Sequence, residues 1–187
     1  MTTMLSDRPA AATPAPRHGA RRLAVHFAAG LALAVAVLSG AASLNGVVEG
    51  YRWFPGLIGP VLVVHVLAAL VRSIPRIRWA AWPAAAAAAL LMFGNHPALA
   101  PATAGVPPEG SWQRLDDAFQ EAADQLGTQV PPVAYSTHVD FVLLVLVLAV
   151  SLLVQALAGF RRLALLVILP LAFMPVIASL FKQEGAG

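Results

Sequence analysis

Five histidines and nine carboxylates carry nearly all the acid-base and metal-binding capacity of this 187-residue chain, because it has no cysteine. A thiolate nucleophile, a thiolate metal site and a disulfide are thereby excluded within it. His96, His138 and Asp140 lie near the ends of two apolar runs and could together ligate a metal ion. Their spacing matches no metal-site template, and interfacial polarity is the plainer reading. His138 and Asp140 are two residues apart, so they do not share a helix face. His65 sits in the middle of an apolar run. It could relay protons or bind a ligand, but a neutral histidine hydrogen-bonded to a neighbouring helix is the favoured reading. Gln155 is expected to bond across helices. His26, one turn inside the first run, is expected at the membrane interface. The hydroxyls add nothing catalytic. Ser39, Ser43, Ser73, Ser151 and Ser179 lie in or beside apolar runs. Ser111 is placed at a helix start. Ser136 is two residues from His138, without an evident oxyanion hole or orienting group. No glycine-rich phosphate loop and no nucleophile elbow occurs. No catalytic, cofactor-binding or metal-binding residue is therefore nominated.

The elements that must position these residues are apolar. The chain is 59% hydrophobic and 11% charged, with a mean hydropathy of +0.75. A soluble domain carries roughly 25% charge. The composition predicts an all-α, polytopic helical membrane protein in a single membrane domain over residues 21–182. Lys182 is the only lysine. The arginines cluster at the ends of apolar runs, so membrane topology explains the basic balance better than nucleic-acid binding does.

Residues 1–20 are rich in Ala, Pro and Thr and read as a disordered cytoplasmic tail. Arg21 and Arg22 abut the first apolar run, Leu23 to Leu44. At 22 residues it exceeds the usual h-region of about 7–15 residues, so a retained helix is favoured over a signal peptide. The Arg-Arg pair resembles a twin-arginine signal only weakly. "NGVVEGYRWFPG" is a short loop in which Trp53 and Phe54 suit the headgroup level. A second span covers Leu57 to Val71, beginning near Trp53. "RSIPRIR" is a basic turn. A third span runs from Trp79 and Trp82 to about Gly94, with Pro83 near its start, where a missing N–H costs least. The fourth covers Phe141 to about Phe160. The fifth is the 19-residue run Leu163 to Phe181, in which Pro170 and Pro175 are expected to kink the helix. Residues 183–187 form a short end.

Residues 95–138 make the only long loop. Inside it, "SWQRLDDAFQEAADQLG" predicts an amphipathic helix over 111–126, with Ser111 as N-cap and Gly127 as the stop. Trp112, Leu115, Phe119, Ala122 and Leu126 share its apolar face, expected to pack inward. Its polar side is acidic, so attraction to anionic lipid cannot hold it, and it is expected to rest on the membrane domain or a partner. The first span also carries small residues at Gly30 and Ala34, and at Ala32, Ala36 and Gly40, a spacing that lets helices approach closely. Plain helix packing is the favoured reading of it.

Placing the tail, the 72–78 turn and the 161–162 turn in the cytoplasm puts nine of the twelve basic residues there. Arg52, Arg114 and Lys182 remain opposite, with eight of the nine acidic residues. The positive-inside rule then predicts five spans in the plasma membrane, the N-terminus cytoplasmic and the C-terminus extracytoplasmic.

The stretch "RWFPGLIGPVLVVHVLAALVRSIPRIRWAAWPAAAAAALLMF" resembles the amino-terminal membrane region of actinobacterial transglutaminase-like membrane proteins, the TgpA-like group. So does the order that follows: an amphipathic helix, the Val130-Pro131-Pro132 stretch, a helix closed by Arg161-Arg162, and a helix with Pro170 and Pro175. The resemblance covers roughly residues 23–181. It implies further spans and an extracytoplasmic domain with a Cys-His-Asp triad in full-length relatives. Without cysteine, none of those catalytic residues can be placed here, so the sequence is expected to be a fragment of a longer protein or a stand-alone membrane homologue. The resulting expectation is a non-catalytic anchoring or scaffold module in the cell envelope. It would contact the lipid bilayer and an extracytoplasmic protein partner, with no cofactor, nucleic acid or small-molecule substrate. The alternatives are a small transporter or channel subunit, or a metal-dependent membrane enzyme. Transport usually needs a charged residue near mid-span, and no run has one.

Overall fold

A computed structural model describes residues 18–99, 110–160 and 163–184. The described chain is helical: α1 (His18–Ala42), α2 (Trp53–Ser73), α3 (Ala81–Gly94), α4 (Ser111–Thr128), α5 (Thr137–Gly159) and α6 (Ile168–Glu184). Three of these, α1, α2 and α5, are long and apolar enough to cross a membrane. α3 and α6 are shorter, with 14 and 17 residues. At about 1.5 Å per residue, α3 rises about 21 Å, short of a hydrocarbon core about 30 Å thick. One-turn 3₁₀ segments precede both, at Arg78–Ala80 and Ala164–Val167, and lengthen them.

Local chemistry explains the boundaries. α1 begins at His18, so the last residues of the expected tail, His18 to Ala20, are already helical. Residues 1–17 and the Arg161–Arg162 pair lie outside the described residues. α2 starts at Trp53, as expected. Pro83 is the third residue of α3, where its absent N–H needs no intrahelical acceptor. Pro170 holds the same position in α6 and cannot donate to Leu166 in an α-helical bond. The preceding turn accordingly closes as 3₁₀, and only Pro175 lies inside the helix proper. Ser136 caps α5, its Oγ accepting from the Val139 N–H at 3.2 Å.

α5 is the centre of the bundle. It packs on α1, α2, α3, α4 and α6, while α1 also packs on α2 and α6, and α2 on α3. The expected small residues of α1 make the close approaches. A Cβ on Gly30 would lie 2.9 Å from Ala69 Cβ and 3.1 Å from the His65 carbonyl, and one on Gly40 would meet Met174 Sδ at 3.3 Å. Trp53 is fully buried against the protein rather than presented on its surface, with its indole N–H donating to the Gly50 carbonyl at 3.0 Å. Gly50 itself has φ +70°, a turn conformation that favours glycine.

The loops are organised on one end of the bundle. Val133 N–H donates to the Val47 carbonyl and Glu49 N–H to the Val133 carbonyl, both at 2.8 Å. The α1–α2 turn is thus stitched to the segment that leads into α5. α4 lies against the same region, packed on α5.

Candidate functional site

Two separate polar clusters occur in the bundle. The first lies beside the loops. α3 ends at Gly94, and the chain turns to bring His96 against the start of α5. His96 Nδ1 accepts from the Ala98 N–H at 3.2 Å, so in the neutral ring Nε2 carries the proton. Nε2 faces Asp140 Oδ2 at 3.4 Å, at the long end of hydrogen-bond range. His96 is buried, and its ring packs on Phe141 with centroids 5.3 Å apart. Phe93 and Phe119 close on the same ring at 5.3 and 5.4 Å. Partial desolvation raises the pKa of Tyr135 above its ordinary value, reinforced by the charge and hydrogen bond of Asp140.

Of the three residues that could have formed a metal centre, the structure joins His96 and Asp140. His138 is not brought to them, and no group of three or more His, Asp or Glu side chains able to hold a metal exists among the described residues. The ring cluster and the single contact act as a latch between the α3 end, α4 and α5.

The second cluster lies inside the spans. Gln155 Nε2 donates to His65 Nδ1 at 2.6 Å, and both residues are fully buried. An amide nitrogen only donates, so Nδ1 accepts and the His65 proton sits on Nε2. Arg72, one α2 segment further along, donates from Nη2 to the Gln155 main-chain carbonyl at 2.6 Å. α2 and α5 are therefore tied twice through one residue. His65 Nε2, Gln155 Oε1 and the buried Ser151 Oγ have no hydrogen-bond partner among the described residues. Each of His65 and Gln155 is visible in sequence as a polar residue in an apolar run. Arg72 reads in sequence as part of a basic turn, but it belongs to the last turn of α2, and its reach to the backbone of α5 has no sequence signal.

The expected inner face of α4 holds at Leu115, Ala122 and Leu126 and is corrected at Trp112 and Phe119. The helix runs Ser111–Thr128, with Gly110 rather than Ser111 at the N-cap position. It passes through Gly127 and ends where the Thr128 hydroxyl donates to the Asp124 carbonyl. Ala118 and Ala122 are the buried residues, with Leu115 and Leu126 half-buried beside them. Trp112 is 82% exposed, and Phe119 keeps only an edge against Phe141. The small side chains let the helix backbone lie close to α5, which turns the stripe by about one position away from the large residues. Asp116, Asp117, Gln120, Glu121 and Asp124 face outward as expected.

Comparison with protein-family models, with curated proteins and with solved structures finds no match to this chain.

Proposed function

We propose that this chain is a non-catalytic membrane scaffold, a module like the amino-terminal membrane region of TgpA-like proteins. In this reading, five spans hold a docking platform on the extracytoplasmic face for a cell-envelope protein. The carrying observation is the loop assembly. The α1–α2 turn, the segment around Val133 and α4 are pinned to each other and to α5, while Trp112, Val130, Tyr51 and Tyr135 remain exposed. Aromatic residues on a rigid support are what protein interfaces use as anchors. The polar pair of α2 and α5 serves the same reading, because His65 and Gln155 bond to each other and tie the two helices together.

The test uses a photo-crosslinking side chain at Trp112 or Val130 in native membranes, with positions on the lipid-facing side of α6 as controls. A discrete protein adduct from the loop positions, absent from Leu169 and Val176, is expected. Crosslinking to lipid alone from Trp112 and Val130 would overturn the platform. Acyl transfer or amide hydrolysis by the purified chain, lost on Ser136→Ala or His138→Ala, would move the protein to the enzymes.

A further inference from the structure

At the end of the bundle opposite the loops, two cavities meet between α1, α2, α3 and α5. One, of about 790 Å³, is lined by Arg22, His26, Arg72 and Arg78. The other, of about 520 Å³, is mostly apolar and is walled by Trp79, Trp82, Pro83 and Phe160. Both include Arg72, Arg78, Trp79 and Gly159, so a cationic compartment opens beside an apolar one. No carboxylate lines either cavity among the described residues. The His96–Asp140 contact lies at the far end of the molecule. Arg22 and Arg78 are exposed and form no ion pair with a described residue. Arg72 is held by its bond to the Gln155 carbonyl, which fixes the guanidinium plane while its fork keeps further donors. Trp79 and Trp82, 75% and 48% exposed, stand where indole rings favour a headgroup boundary.

We propose that this paired cavity is a binding site for an anionic phospholipid. Arg22, Arg72 and Arg78 hold the phosphate, and Trp79, Trp82 and Phe160 line the path of the first acyl methylenes. Arginine suits the role because its planar fork matches a phosphate in bidentate fashion. Charge complementarity demands an anion, and the adjoining apolar compartment selects one that carries a hydrocarbon chain over a free phosphate. Basic pockets between helices bind lipid headgroups on this principle.

The test places the full chain in phosphatidylcholine nanodiscs and titrates in phosphatidylglycerol with brominated acyl chains, reading tryptophan fluorescence. Quenching that saturates at low phosphatidylglycerol content is expected, against a shallow, unsaturable response to brominated phosphatidylcholine. Arg22→Gln and Arg78→Gln should each weaken the apparent affinity about fivefold, and together about 25-fold, as removal of single near-surface cations does. Arg76→Gln is the control, since Arg76 is an exposed cation of the same turn that lines neither cavity. It should leave the titration unchanged, and melting curves of each variant check that the fold persists. Equal quenching by the two lipids would overturn the site. So would equal losses in Arg76→Gln and Arg78→Gln, which would reduce the effect to general surface charge. Displacement of the lipid by millimolar inorganic phosphate would overturn the lipid assignment in favour of a soluble phosphate.

Discussion

Gln155 ties α5 to α2 with its side chain through His65 and with its carbonyl through Arg72. In a bilayer an unsatisfied polar group finds no water, yet interhelical hydrogen bonds are measured at only about 0.6 kcal/mol on average, up to about 1.7. His65→Leu and Gln155→Leu should each destabilise the folded protein, and the double variant should lose less than their sum. A double-mutant cycle by detergent denaturation should give a coupling of about 0.6–1.7 kcal/mol, and strict additivity would refute the pairing. Gly30 sets a sharper limit. Its missing side chain lets α1 meet Ala69 and the His65 carbonyl, so Gly30→Leu should cost more than Gly40→Leu, whose neighbour is the flexible Met174. Polarity inside an apolar run marked His65 and Gln155 in the sequence. Their partnership was not legible, because 90 residues separate them and nothing local encodes which helix faces which. Tyr135 belongs to this scale as well. Partial desolvation, with the charge and hydrogen bond of Asp140, holds its pKa above the ordinary value of 10.0, so the folded protein favours the protonated phenol. That preference is fully present below pH 10 and is lost as pH rises through the raised value. Protease sensitivity of the 129–136 segment should therefore be flat to about pH 10 and climb above it, and Tyr135→Phe should remove the climb.

At the scale of elements, the long apolar runs were readable because a helix crossing lipid must be apolar over its whole length. The register of α4 was less readable. A 3.6-residue period identifies a helix and a stripe, but the stripe is broad, and which edge of it makes contact depends on what lies beneath. Here α5 accepts Ala118 and Ala122 at its surface, and the large Trp112 is left outside. Ala122→Phe should overpack this contact by about 1–3 kcal/mol and expose residues 110–136 to limited proteolysis. Trp112→Ala should leave the cleavage pattern unchanged. The reverse pattern would restore the large residues to the inner face. Proline shows the same division. Pro170 and Pro175 both sit in one helix, yet only Pro175 is in its interior, because a chain that switches from 3₁₀ to α at Ile168 places Pro170 in the tolerant first turn.

At the scale of the whole molecule, the sidedness of the bundle follows from physical stitching as well as from charge. The α1–α2 turn bonds to the segment around Val133, which puts Asn45 to Arg52 and the 110–136 region on one face. Arg22, Arg72 and Arg78 gather around shared cavities and occupy the other. Short loops keep their arginines on the side from which translocation starts, and an extended apolar helix cannot leave one end of the bundle in lipid and the other in water without crossing. α1, α2 and α5 are long and apolar enough to cross a membrane; the proposed five-span reading would put the arginine face in the cytoplasm and the loop face outside, and would require α3 and α6 to cross with the 3₁₀ turns that precede them. The absence of cysteine makes this directly testable, since every introduced thiol is the only one in the chain. Single cysteines at Gly50 and Gly127, both exposed and with no atom near enough to resist a side chain, should react with a membrane-impermeant maleimide added to intact cells. Gly50 has a positive φ, so its substitution carries some strain, and Gly127 serves as the independent site. Cysteine at Ser73 or Arg76 should react only after permeabilisation. A cysteine at the C-terminal Gly187 should label from outside if α3 and α6 both cross. Labelling of Gly127 and Arg76 from the same side would break the five-span arrangement, and labelling of Arg76 from outside with Gly127 protected would invert it.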